Sequence, residues 1–114
     1  MNISRLIIFT PDVRRLSDFY SNAFGLSKVD GGDAEWAELS TGTCNLAFHH
    51  YAEEGVGRDG WTKIVFGAKN VRDEKARLES LGIEMSEVVQ FGDIQLCDGR
   101  DPDGNWFQIS SRGV

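Results

Sequence analysis

The chain has 114 residues, 40% of them hydrophobic and 26% charged, and a formal net charge of −6. That length suits one domain, which buries about two-thirds of its unfolded surface and needs no staples beyond its own core. The acidic balance excludes nucleic acid as a partner, because binding phosphates takes clustered Lys and Arg.

No apolar run reaches the ~18 residues of a membrane span, and residues 1–9 lack a secretion-signal pattern, so no membrane partner is expected and the cytoplasm is the expected location. Cys44 and Cys97 are far apart and not in a C-x-x-C pair, which fits reduced, buried thiols.

Leu6-Ile7-Ile8-Phe9 is a branched, apolar run ending at Thr10-Pro11 and predicts a first strand. Asp12 is an N-cap candidate. Val13, Leu16, Phe19, Tyr20, Ala23 and Phe24 then recur at helical spacing, and Gly25 supplies a stop, so a helix is predicted from about Asp12 to Phe24. Trp36–Ser40 and Cys44–His50 read as strands separated by a turn around Gly42. The polar, glycine-bearing stretch between Tyr51 and Gly60 reads as a linker.

After the linker the pattern begins again. Lys63–Ala68 predicts a strand, and Asn70 is a cap candidate with Asp73 behind it. Val71, Lys75, Leu78 and Leu81 form one helical stripe that stops at Gly82. Two further strands follow, one at about Ile94–Asp98 and the last from Trp106. Laid over the first half, Arg5 falls on Lys63, Ile8 on Phe66, Asp12 on Asn70 and Val13 on Val71.

The predicted fold is therefore α+β: two β-α-β-β-β modules, residues 1–51 and 61–112, joined by a linker at 52–60 within a single domain spanning 1–114. One helix covers one face of each module on the outside. The other faces are expected to form a concave, mostly antiparallel mixed-sheet cleft, closed within the chain or with a partner chain.

Asp101-Pro102-Asp103-Gly104-Asn105 suits a tight turn, with Pro presetting φ and Gly accepting a positive value. The turn roles suffice to account for Asp101 and Asp103. Phe107 and Ile109 then alternate with Trp106 and Gln108 on the last strand.

This turn, the Pro11-Asp12-Val13 opening with Asp18-Phe19-Tyr20 and Gly25-Leu26, and the Asn70-Val71 helix ending in Leu81-Gly82-Ile83 resemble the vicinal oxygen chelate superfamily. That superfamily includes glyoxalase I, the extradiol dioxygenases, and the bleomycin and fosfomycin resistance proteins. The likeness covers nearly the whole chain. It implies a homodimer and, by comparison with the metal-dependent members, four inward ligand positions. Arg5 and Lys63 stand where His is usual, Gln108 stands where Glu is usual, and Ala47 or His49 fills the fourth.

Protonated Arg and Lys offer a divalent ion no lone pair, so no metal and no other cofactor is expected at the usual place. Strand parity instead puts Arg5, Ile7 and Phe9 on the cleft face with Lys63, Val65, Trp106 and Gln108, joined by Ala47 or His49. Such a set suits a small anionic or aromatic ligand, its carboxylate or phosphate held by Arg5 and Lys63 and its body stacked on Trp106. The competing view is that both cations reach solvent or pair with the chain's carboxylates, Glu53 and Glu54 among them.

His49 and His50 are strand neighbours facing opposite sides and cannot share one ligand sphere. Trp61 is a candidate for a dimer contact or the cleft rim. No catalytic residue is assigned. The expectation is a ligand-binding protein rather than an enzyme. The alternatives are a metal-dependent lyase or dioxygenase using His49 and Gln108, and a dimerisation module whose cleft is filled by its own side chains.

Overall fold

The computed structural model describes residues 3, 5–52 and 62–114. The chain divides into two compact units between Asp59 and Gly60.

In the first unit, β1 (Arg5–Thr10) leads into α1 (Val13–Phe24), followed by β2 (Ser27–Lys28), β3 (Trp36–Ser40) and β4 (Asn45–His50). The helix starts where the sequence places its cap: the Asp12 side chain accepts from the Arg15 N–H. It ends at Gly25, whose φ of 65° is the left-handed value that closes helices and that other residues rarely adopt. The sheet runs β1-β4-β3-β2, with β1 parallel to β4 and the other pairs antiparallel. Val13, Leu16, Tyr20 and Ala23 lie four, three or seven residues apart on one helix stripe and are all buried, as are Leu39, Leu46 and Phe48 on the strands. The Tyr20 ring stacks on Phe48 at 5.7 Å. One sheet face is thereby committed to the helix, and the alternate residues point the other way.

The second unit repeats the plan with β5 (Ile64–Gly67), α2 (Val71–Ser80), β6 (Val89–Phe91), β7 (Ile94–Arg100) and β8 (Trp106–Ser110), in the sheet order β5-β8-β7-β6. Asn70 caps α2 by accepting from the Asp73 N–H, and Asp73 and Glu74 put negative charge in the first turn, where the helix dipole favours it. Val71 and Leu78 of α2 are buried, as are Cys97, Phe107 and Ile109 of the sheet. Burial pushes the Cys97 thiol above its ordinary value, consistent with an inert core residue.

The fold is α+β with two similar modules, each a four-stranded mixed sheet and one helix. The two strands not assigned from sequence, β2 and β6, are two and three residues long. Both are edge strands with exposed residues, so neither carries the alternating burial that makes a strand visible in a sequence. β7 runs two residues past the expected Asp98, to Arg100, because Gly99 and Arg100 pair with Phe107 and Trp106. Glu53, Glu54, the glycines of the expected linker and Trp61 lie outside the described residues.

Asp101 knits the turn before β8. Its buried carboxylate accepts from the backbone N–H groups of Asp103 and Asn105 and from the Asn105 side-chain amide, at 2.8 to 2.9 Å. Its backbone N–H also donates to the Asn105 carbonyl. Such closure fixes the point at which β8 enters the sheet, and with it the parity of Trp106 and Gln108.

Candidate functional site

The face of the first sheet turned away from α1 is built in rungs, because residues paired across strands share a face. Phe9 of β1, His49 of β4 and Trp36 of β3 are in register. Their rings meet edge to face, His49 lying 5.7 Å from Phe9 and 5.9 Å from Trp36, and Tyr51 extends the row at 6.0 Å from Phe9. This geometry is the preferred one for aromatic pairs. Phe9 and Tyr51 are each 44% exposed, an unusual level for such rings. His49 Nδ1 sits 2.9 Å from the His50 carbonyl oxygen, which only accepts; the neutral ring therefore carries its proton there and leaves Nε2 as the acceptor. His50 points elsewhere, toward Glu35.

The next rung is Ile7, Ala47 and Glu38, and beyond it Arg5 faces Asn45. Here one Glu38 oxygen, Oε2, accepts from the Asn45 amide at 2.6 Å and from Arg5 Nε at 3.4 Å. The Asn45 hydrogen bond holds the Glu38 carboxyl below the usual carboxylate range against the opposing effect of burial, and Arg5 and Trp36 add to it. One end of this face is thus aromatic and the other is an ion pair with an amide.

In the second unit, Asp98 Oδ1 accepts from Lys63 Nζ at 3.1 Å and from Gln108 Nε2 at 3.0 Å. Val65, opposite Gln108, is 53% exposed. Trp106, opposite Arg100, carries that guanidinium 3.8 Å over its ring, so one face of the indole is already covered.

Register makes the two modules directly comparable. Glu38, Ala47 and Ile7 form a rung, and Asp98, Gln108 and Val65 form its counterpart. Each module therefore places a carboxylate at the same point of its third strand, bonded to the cation that opens its first strand and to a side-chain amide.

Arg5, Ile7, Phe9 and His49 share one face of the first unit; in the second, Val65, Trp106 and Gln108 lie on strands and Lys63 immediately precedes β5, which starts one residue later than expected. Leu46 and Phe48 are buried on the helix side, so Ala47 and His49 are both on the open face. By register, Ala47 is the counterpart of Gln108. Sequence reasoning missed Glu38, Asp98 and Asn45. The signal was present: Glu38 alternates with Ala37 and Leu39, a charge on the face opposite the core residues of its strand.

Arg5, Ala47, Lys63 and Gln108 do not fit a divalent ion. Two are cations, one has no donor atom, and the fourth is a neutral amide. Among the described residues, no three His, Cys, Asp or Glu side chains come together as a metal-sized group. Nor is any described helix long and apolar enough to cross a membrane.

A family model of the Glyoxalase/Bleomycin resistance protein/Dioxygenase superfamily matches residues 2–109. Among solved structures, the chain is similar to a lactoylglutathione lyase from Agrobacterium tumefaciens, at TM-score 0.78 and 21% identity over 95% of this chain and 91% of that one. It is also similar to a bleomycin-binding protein from Streptomyces verticillus complexed with copper(II)-bleomycin, at TM-score 0.73 and 18% identity over 96% and 94%. A fosfomycin resistance protein, FosX, from Listeria monocytogenes, complexed with Mn(II) and a dihydroxypropylphosphonic acid, superimposes at TM-score 0.79 with 15% identity over 96% and 89%. At such identities the likeness is one of fold. Among curated proteins none matches.

Proposed function

Taking as its premise that the chain belongs to the Glyoxalase/Bleomycin resistance protein/Dioxygenase superfamily, we propose that it binds a small molecule with a flat apolar body on the open sheet face, without a divalent metal. The observation that carries this reading is the row Trp36–His49–Phe9–Tyr51: aromatic rings held edge to face across three strands and beyond, with Phe9 and Tyr51 left 44% exposed on the face the helix does not cover. A core has no use for exposed rings; a stacking surface does. The bleomycin-binding relative shows that the fold can serve ligand capture.

On this reading Arg5, Ile7, Phe9 and His49 form the ligand surface of the first module, and Lys63, Val65, Trp106 and Gln108 that of the second. The protein works in the cytoplasm as a homodimer, with no enzymatic step assigned. The donor chemistry at Arg5, Ala47, Lys63 and Gln108 supports the metal-free part of the proposal.

The test is saturation-transfer NMR with a panel of uncharged and charged aromatic compounds. Binding compounds should lose affinity several-fold in Phe9→Ser, since one aromatic pair contributes about 0.5–1.5 kcal/mol beyond its buried area. A panel with no binder, or binders indifferent to Phe9→Ser, sinks the proposal. Elemental analysis finding one tightly held metal per chain, lost in His49→Ala, would favour the metal-dependent lyase or dioxygenase instead.

A further inference from the structure

Arg5 and Lys63 were expected to capture an anion, and the structure finds each of them engaged within its own unit. Arg5 is bonded to Glu38 and Lys63 to Asp98, and in each case the carboxylate also takes a hydrogen bond from a side-chain amide, Asn45 or Gln108. The repetition of a cation–carboxylate pair at matched register positions of two modules, with a side-chain amide added from a different position of the last strand in each, sets this apart from a chance surface pair. Exposed pairs form and break at little cost, and the Arg5 side chain is 45% exposed, but the Glu38 side chain is only 13% exposed and its carboxyl is held by three side chains.

Consider what a ligand reaching the polar end of the first sheet would meet. Charge there sums to zero: one guanidinium and one carboxylate, beside a neutral amide. An incoming carboxylate would gain attraction to Arg5 and incur repulsion from Glu38 at nearly the same distance. At similar distances from opposite charges the two effects nearly cancel, while the ligand's own charge still loses water. An uncharged group that both donates and accepts loses little water and finds partners for both. The Arg5 N–H groups other than Nε–H are donors without a partner among the described residues, and Glu38 supplies acceptor oxygens.

We propose that the Arg5–Glu38–Asn45 end of the first sheet's open face selects ligands whose polar group is neutral and both donates and accepts hydrogen bonds, such as a carboxamide or cyclic imide, over carboxylates and phosphates of the same shape. The aromatic row beside it takes the ligand's flat body, so this inference rests on the binding function proposed above and narrows its ligand class. Glu38 acts as the selectivity filter. It rejects anions by charge and accepts a donor from neutral ligands.

The experiment compares 2-naphthamide with 2-naphthoate, matched in shape and apolar area, by fluorescence anisotropy against the full chain at neutral pH. The amide should bind more tightly than the acid by roughly tenfold, which corresponds to about 1.4 kcal/mol. In Glu38→Gln the guanidinium loses its counter-charge, and the ratio of amide to acid affinity should fall below one. In Arg5→Met the ratio should rise instead, because the acid then meets Glu38 alone. Circular dichroism checks that both variants fold, and either one suffices to move the ratio.

If the acid binds the wild-type chain as tightly as the amide or more tightly, the neutral-ligand inference is overturned and the binding function stands. Equal losses for both probes in Glu38→Gln, with an unchanged ratio, overturn it as well, since they mark a structural role alone. If neither probe binds, the binding function itself fails and the selectivity with it.

Discussion

Glu38 shows how one side chain can hold two jobs. It is a mostly buried carboxylate on the face of the sheet that has no helix, and its ionised form is kept by Asn45, Arg5 and Trp36. A carboxyl whose folded value is depressed stabilises the protein above its unfolded value, about 4.3, and that contribution fades as the pH falls through the lower folded value. Thermal melts should therefore show wild type above Glu38→Gln at pH 6, by about 1 kcal/mol, with the gap closing toward pH 3. A gap that stays constant with pH would mean that the carboxylate is not stabilised by its neighbours.

At this scale the sequence was partly readable. Arg5, Ile7, Phe9 and His49 could be placed on one face because a strand alternates. Their partners could not, since which carboxylate meets which cation depends on register across strands 33 and 35 residues apart. Glu53 and Glu54 lie outside the described residues; the carboxylates that meet Arg5 and Lys63 are Glu38 and Asp98.

Elements were easier to read. Both helices begin at residues whose side chains accept from the third N–H, a local chemistry visible as Asp12 and Asn70 in the sequence alone. The short edge strands β2 and β6 escaped because pairing, and no pattern of their own, makes them strands.

Within β7, Gly99 has a reason that only the structure reveals. A Cβ there would lie 2.5 Å from the ring of Phe107 and 2.7 Å from the sulfur of Met85. Phe107 is fully buried and cannot swing away, so Gly99→Ala should cost about 1–3 kcal/mol by overpacking. Chemical denaturation measures this directly. A cost below about 0.5 kcal/mol would show that the β7–β8 pair yields more easily than its packing suggests.

Each of the two compact units has a core among its described residues, one around Tyr20 and Phe48 and one around Phe107 and Ile109. Amide hydrogen exchange should accordingly show two slow clusters, centred on β4 and on β8, with the edge strands β2 and β6 exchanging fastest. One slow cluster confined to a single unit would mean that the other opens on its own.

Duplication was legible from end to end, since caps, stripes and stops recur in order, and the superfamily followed from the same residues. The function was not. A fold shared by lyases, resistance proteins and drug binders leaves its chemistry to a handful of side chains, and here those depart from the metal-binding pattern.

The Asp101 turn bears on how such a departure can arise. The bonds from Asp101 to Asp103 and Asn105 close it without the side chain of residue 108, so they aim β8 into its sheet whatever that residue happens to be. The frame and its cargo are mechanically independent. A lineage can exchange an acid for an amide at that position in a single step, trying a new ligand while the strand that presents it stays where it was. Versatility in this fold is thus underwritten by a rigid, chemically idle corner.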